Sequence, residues 1–183
     1  MNRLKAWYDL IVSKDLIYKL NSKSVFKIDR LNKLVLTCNT NDAVEDSKNV
    51  VFTLVLLELL ANQKPKIIRA KKSVATFKLR KFSPLGAKVT LRNIKMYAWI
   101  DILIFIIQPK LSEIIFIHFD LKEKTKIIGL GIPNIFWFPQ LMQESHLFGK
   151  AFGLTLTVES NSKQKLSTIL LVNGFQAPIS IKL

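Results

Sequence analysis

Apolar side chains recur along this chain with two periods, and the change of period marks out its elements. Leu4, Tyr8 and Ile11 stand at i, i+4 and i+7, the spacing of one helix face. Leu34 to Cys38 has the look of a short buried strand. Val50 to Ala61 is apolar apart from Thr53 and Glu58, which predicts a buried helix opened by Asp46 or Ser47. Asn62-Gln63-Lys64-Pro65 ends it, because proline disfavours helix in the residue before it. Lys66 to Arg69 follows as another strand. Val74 to Arg80 alternates, with Ala75, Phe77 and Leu79 on one side and Thr76, Lys78 and Arg80 on the other. Lys88 to Arg92 alternates again, with Val89 and Leu91 inside and Lys88, Thr90 and Arg92 outside. Ser83-Pro84-Leu85-Gly86 supplies turn chemistry between them, so the two strands are expected to form a hairpin with one greasy and one basic face.

Met96, Trp99, Ile100, Leu103 and Ile107 mark a third helix, stopped by Pro109. Ile114 to Phe119 and Lys126 to Ile132 are predicted strands around the polar turn Lys122-Glu123-Lys124. Leu154 to Val158 is a predicted strand, and Ser162 to Val172 a last helix with Asn173-Gly174 as its stop. The order of elements predicts an α+β fold: an antiparallel sheet with helices packed on one face, an RRM-like or ferredoxin-like sandwich. No repeat, low-complexity tract or Pro/Gly/Ser linker breaks the chain, so one domain over residues 1–183 is expected.

Composition narrows the function. Nearly half the residues are hydrophobic (49%), so the chain has the means to build a core, yet its formal net charge is +15. Such a charge repels itself unless an anionic partner neutralises it. Cys38 is the only cysteine; it forms neither an internal disulfide nor a cysteine zinc site, and is expected to be a small buried apolar residue. Val50 to Ala61 and Ile100 to Ile107 are far shorter than the ~20 residues that span a bilayer. Arg3, Lys5 and Asp9 interrupt the first residues, so no secretory signal is expected. Lys, Ile, Leu, Asn and Phe are abundant, a bias of AT-rich genomes such as those of organelles or reduced bacteria.

Catalysis finds little support. His118 and His146, the two histidines, lack metal or triad spacing, and His118 lies inside an apolar strand. Gly129-Leu130-Gly131 lacks the rest of any phosphate-loop pattern, and Asp42, Glu45 and Asp46 suit turns and caps. No cofactor, metal site or catalytic residue is expected.

The distribution of charge is more informative. Between Glu58 and Asp101 there is no acidic residue, whereas Lys64, Lys66, Arg69, Lys71, Lys72, Lys78, Arg80, Lys81, Lys88, Arg92 and Lys95 are basic. Ordinary charged surfaces mix signs. An unmixed basic tract displaces condensed counterions from phosphates, and its arginines fork onto phosphate oxygens or stack on bases. A membrane surface competes for the same charge, but a surface-bound helix carries its lysines opposite a broad apolar face, and these bases lie in predicted strands and turns. RNA is favoured over duplex DNA because no helix-turn-helix or zinc finger is present.

Within that tract the chain reads NQKP, then AKKSVATFKLR, PLG and KVTLRN, from Asn62 to Asn93. This block resembles the family of large-subunit ribosomal protein L5, whose pattern is a GQKP turn, an ARKSVAGFKIR strand, a PIG turn and a KVTLRG strand. Met96-Tyr97, Phe138-Pro139 and Gly153-Leu154-Thr155-Leu156-Thr157 extend the likeness, from about Leu4 to about Ile179. That extent is expected to leave no room for a presequence. The resemblance implies binding to 5S rRNA and large-subunit rRNA in the central protuberance, among neighbouring ribosomal proteins. It places 5S rRNA contacts at Thr37, Gln63 and Thr90; Lys64, Lys78, Arg80, Lys88 and Arg92 join them as expected contacts. Arg69, Lys71 and Lys72 are expected to meet other rRNA phosphates. The turn Lys81-Phe82-Ser83-Pro84-Leu85-Gly86 is expected to face the P-site tRNA.

The chain departs from the family pattern in places. Thr37 stands where asparagine is usual, Asn39 and Asn41 where glycines are, and Phe82 replaces a glycine in the tRNA-facing turn. The family's FDGRGNYS segment is absent between Pro109 and Gly131, so no RNA contact is carried over there. The expected location is the matrix of a mitochondrion, within its ribosome, with a plastid or a bacterial cytoplasm as alternatives. A free-standing RNA-binding factor built on the same fold is the rival function.

Overall fold

Asn2 opens the first helix. Its side-chain oxygen accepts from the backbone N–H groups of Leu4 (3.0 Å) and Lys5 (3.4 Å), capping α1 (Arg3–Trp7). The chain then widens into a π turn (Tyr8–Val12) and resumes as α2 (Ser13–Leu20). A π turn holds an extra residue and so delays the phase of the side chains that follow. The buried positions are therefore Leu4, Tyr8, Val12 and Leu16, whereas Ile11, expected inside, is 47% exposed. Asn21 ends α2 in the left-handed conformation that asparagine tolerates best after glycine.

The computed structural model describes residues 2–22, 24–40, 47–110, 127–143, 145–148, 152–162 and 165–177. After α2 come β1 (Leu31–Asn39), α3 (Val50–Ala61), β2 (Lys66–Arg69), β3 (Pro84–Leu91) and α4 (Asn93–Ile102). They are followed by β4 (Ile127–Ile132), short helices α5 (Pro139–Met142) and α6 (Ser145–Phe148), β5 (Leu154–Ser160) and α7 (Lys165–Gly174). The strands form one antiparallel sheet in the order β2-β3-β1-β5-β4, an α+β architecture as the sequence predicts. Among the described residues no helix is long and apolar enough to cross a membrane.

The chain divides into two compact units. One comprises Met1–Leu34, Arg92–Leu130 and Thr157–Leu183. Its core is aromatic: Tyr8 lies 5.9 Å from Phe175 and 6.1 Å from Tyr97, ring centre to ring centre. The Tyr8 hydroxyl donates to the Asp29 carbonyl oxygen at 2.8 Å. Burial, helped by Asp9, pushes the Tyr8 hydroxyl up to about 12. Ile128 and Val172 make a second small core with Val158 and Ile169. The α4 helix buries Met96, Tyr97, Trp99 and Ile100 and continues through a second π turn (Leu103–Ile107). Arg3 and Asp101 pair at 2.9 Å in this unit.

The other unit comprises Val35–Leu91 and Gly131–Leu156. Here α3 packs on β3, burying Leu56, Leu57 and Leu60. Asn62, left-handed like Asn21, closes α3 ahead of Pro65. Leu36 and Cys38 of β1 and Ala87, Val89 and Leu91 of β3 are fully or nearly fully buried at alternate positions. Burial pushes the Cys38 thiol up to about 12, in keeping with a structural rather than reactive cysteine.

Two expectations fail here. Val74 to Arg80 is not a strand: it is a loop in which Val74 and Leu79 form an isolated bridge around a 3-10 turn, Ala75–Phe77. Phe77, expected inside, is 68% exposed. Pro84 to Gly86 is not a turn, because these residues begin β3. Period-two alternation fits both arrangements, and β2 rather than the loop takes the edge of β3. The predicted strand Ile114 to Phe119, His118, the turn Lys122-Glu123-Lys124 and the Asp46 cap lie outside the described residues.

Candidate nucleic-acid interface

The antiparallel pairing of β2 with β3 sets Lys66 opposite Lys88, Ile67 opposite Ala87, Ile68 opposite Gly86 and Arg69 opposite Pro84, with an irregularity between Ile68 and Arg69. Ala87, Val89 and Leu91 face the core, so Lys88 and Thr90 face outward. On β1, Leu36 and Cys38 point inward, which turns Thr37 to the less buried face. Lys66 and Lys88 are both exposed. Two like charges directly opposite on adjacent strands destabilise a sheet unless an anion lies over them. The ion pairs seen among the described residues join Arg3 to Asp101, Lys19 to Asp15 and Lys33 to Glu159; none draws on a base between Lys64 and Arg92.

Between β2 and β3 the chain projects as a loop held at its neck. The Ala70 N–H donates to the Ser83 carbonyl (2.9 Å), and the Phe82 N–H donates to the Ala70 carbonyl (3.0 Å). Further out, Val74 and Leu79 exchange two backbone hydrogen bonds of 3.1 Å. Beyond the neck, residues 71–78 are all exposed. Lys71, Lys72, Lys78, Arg80 and Lys81 therefore stand out in solvent together with Phe77 and Phe82. Left-handed backbone at Lys78 (φ 52°) and Phe82 (φ 70°) turns the loop at its tip and at its return. The Lys81 Nζ sits over the Phe82 ring, 5.2 Å from its centre.

The residues singled out in the sequence fall into four places. Gln63 and Lys64 follow the end of α3, where the Gln63 Nε2 donates to the Thr90 carbonyl of β3 at 3.2 Å; Lys88 lies two residues earlier on that strand. Thr37 shares the outward face of β1, the neighbour of β3. Arg69, Lys71, Lys72, Lys78, Arg80, Lys81 and Phe82 belong to the end of β2 and the loop. Arg92 is exposed at the N-cap of α4. Of the expected tRNA-facing turn, Ser83 lies at the neck and Pro84, Leu85 and Gly86 in the sheet, so the projecting part is residues 71–82. Leu85 accepts from the Thr40 N–H at 3.2 Å, and Gly86 is buried. Lys66, exposed and opposite Lys88, is not among the contacts expected from sequence. Its place beside Lys88 depends on the register of β2 against β3, which a hairpin of residues 74–80 with 88–92 would not bring about.

Among the described residues no group of three or more His, Cys, Asp or Glu side chains could hold a metal ion. His146 is exposed, and its Nδ1 lies 3.0 Å from the Gln143 carbonyl oxygen.

Comparison with known proteins is decisive about kinship. A family model described as Ribosomal protein L5 matches residues 24–80, which include β1, α3, β2 and most of the basic loop. The large ribosomal subunit protein uL5m of Reclinomonas americana is 32% identical over 180 residues, covering 98% of this chain and 99% of that protein.

Proposed function

The chain belongs to the ribosomal protein L5 family, whose members are structural, non-enzymatic parts of the large ribosomal subunit, and on that basis we propose that it binds 5S rRNA and large-subunit rRNA in the central protuberance of a mitochondrial ribosome. The outward face of β1, β3 and β2 offers Thr37, Thr90, Lys88, Lys66 and, beside them, Gln63 and Lys64 to the RNA. Arg69, Lys71 and Lys72 hold neighbouring phosphates. Lys78, Arg80 and Lys81 carry the projecting loop toward the P-site tRNA. Arg92 adds a phosphate contact where α4 begins.

One observation carries this reading: two exposed lysines, Lys66 and Lys88, oppose each other across β2 and β3 in a stretch without a single carboxylate. A polyanion laid over them removes the repulsion and releases condensed counterions. Sedimentation tests the proposal. The protein is expected to travel with the large subunit through a gradient in moderate salt, and the purified chain to bind a 5S rRNA transcript. Recovery at the top of the gradient, with 5S rRNA binding retained, would favour a free-standing RNA-binding factor. Recovery there without RNA binding would refute both.

A further inference from the structure

A shallow groove runs along the outer edge of β2, where Pro65, Lys66, Ile67, Arg69, Lys71 and Phe82 line it. Phe82 is unusual in two respects. The residue is 64% exposed, and its backbone holds a φ of 70°, a conformation that suits glycine and costs a residue with a side chain. The Phe82 N–H donates to the carbonyl of Ala70, the residue that follows β2 and lines the groove, so the strained conformation is anchored beside it. An exposed aromatic ring contributes little to folding in this position. Around it stand three exposed bases, Lys66, Arg69 and Lys71, with the Lys81 Nζ over the ring itself.

We propose that this groove is a binding site for one unpaired RNA nucleotide, with its base stacked on Phe82 and its phosphates held by Arg69, Lys66 and Lys71. The inference rests on the RNA-binding function above and specifies a contact of a different kind. The sheet face and the loop meet phosphates of folded RNA by shape and charge. The groove instead selects a base splayed out of its helix, because only an unstacked base exposes a π face to the ring. Ring and guanidinium supply complementary parts: the ring takes the base without regard to sequence, and the fork of Arg69 suits a phosphate.

The test uses the full chain and a ten-nucleotide single-stranded RNA carrying one central 2-aminopurine, alongside the same RNA annealed as a duplex. Phe82→Gly is the main variant, because glycine relieves the backbone and keeps the loop folded; Phe82→Trp retains a ring. Binding of the single strand is expected to quench the 2-aminopurine. Phe82→Gly is expected to abolish that quenching and to lower the affinity by about 5- to 150-fold, the range expected of one lost base stack. Phe82→Trp keeps both, and duplex binding changes little in either variant. Unchanged affinity and quenching in Phe82→Gly, while wild type still binds a 5S rRNA transcript, would overturn the groove alone. So would a wild type that binds that transcript but not the single strand. A wild type that binds neither the single strand nor 5S rRNA would overturn this proposal together with the RNA-binding function.

Discussion

Gly86 of β3 approaches Cys38 of β1 so closely that no side chain fits between them. A Cβ on Gly86 would press into the Cys38 carbonyl oxygen and come within 2.8 Å of the Asn39 Cα. Both obstacles are backbone, which yields less readily than a side chain. Gly86→Ala is therefore expected to destabilise the protein by about 1–3 kcal/mol, the usual cost of overpacking. Urea denaturation at neutral pH measures it, and a stability unchanged within error would mean that β1 and β3 separate more easily than their spacing indicates.

That glycine shows where sequence reasoning succeeds and where it stops. The motif Pro84-Leu85-Gly86 looks like a turn because proline and glycine are turn residues, yet here the glycine serves the close approach of two strands. Val74 to Arg80 alternates as a strand does, but alternation says nothing about which partner a segment finds, and β2 lies in register with β3. Ile11 misses the core because a π turn shifts the phase by one residue, and no residue in Tyr8–Val12 announces that turn. By contrast, Leu34 to Cys38 is legible as a short buried strand, and α3 and α4 as buried helices, since burial itself wrote those patterns. The basic tract was legible too, as a run without carboxylates. The facing of Lys66 and Lys88 was not, because it depends on a register fixed only in three dimensions.

The α3 helix is apolar nearly all round, but its faces differ. Leu56 and Leu57 are fully buried, while Val55 is 42% exposed. Leu56→Ala is expected to cost roughly 2–5 kcal/mol through lost burial and the cavity left behind. Val55→Ala is expected to stay within about 0.5 kcal/mol of wild type, as surface substitutions do. Chemical denaturation of the two variants side by side checks the contrast, and equal losses would show that Val55 is covered in the folded protein.

Tyr8 makes stability depend on alkaline pH. Its hydroxyl is raised from 10.0 to about 12 in the folded chain, first by burial and then by Asp9. Between those values the unfolded chain releases the phenolic proton and the folded chain keeps it, so stability falls as pH rises. The contribution is complete below pH ~10 and lost by about pH 12; a shift of about two units corresponds to roughly 2–3 kcal/mol. Tyr8→Phe removes this titration together with the hydrogen bond to Asp29. The variant is expected to start less stable at pH 8 and to lose less on going to pH 12. Parallel curves for the two proteins, measured by denaturant titration, would contradict the assignment.

The projecting loop lends itself to a clean excision. Val74 and Leu79 already exchange both backbone hydrogen bonds, the geometry that flanks a two-residue hairpin turn. Replacing Ala75-Thr76-Phe77-Lys78 by Asn-Gly is expected to leave folding and subunit assembly intact, since residues 75–78 are exposed. Large subunits carrying the shortened loop, joined to small subunits, are expected to release P-site tRNA faster than wild type. Normal dissociation after normal assembly would remove the loop tip from the tRNA contact. Removing Phe82 to Leu85 instead would cut into β3 and confuse loss of contact with loss of fold.

Lys66 and Lys88 give the sharpest test of the RNA face, because one pair of residues predicts effects of opposite sign. In the free protein their mutual repulsion opposes folding, so Lys66→Ala is expected to raise stability, by about 0.2–1 kcal/mol. Lys88→Ala is expected to do the same. The double substitution should gain less than the sum, since removing the first lysine already ends the repulsion. Binding to a 5S rRNA transcript is expected to move the other way. Each lost phosphate contact lowers the slope of log affinity against log salt by roughly 0.7–0.9, so the double variant should bind more weakly at low salt, with a slope reduced by about 1.5. Titrations over a range of potassium chloride concentrations give the slope, and thermal melts of the same samples give the stability. A double variant that is more stable yet keeps the wild-type slope would mean that the lysines repel each other but face no phosphate. A reduced slope without any gain in stability would mean that the two side chains splay apart in the free protein and converge only on RNA.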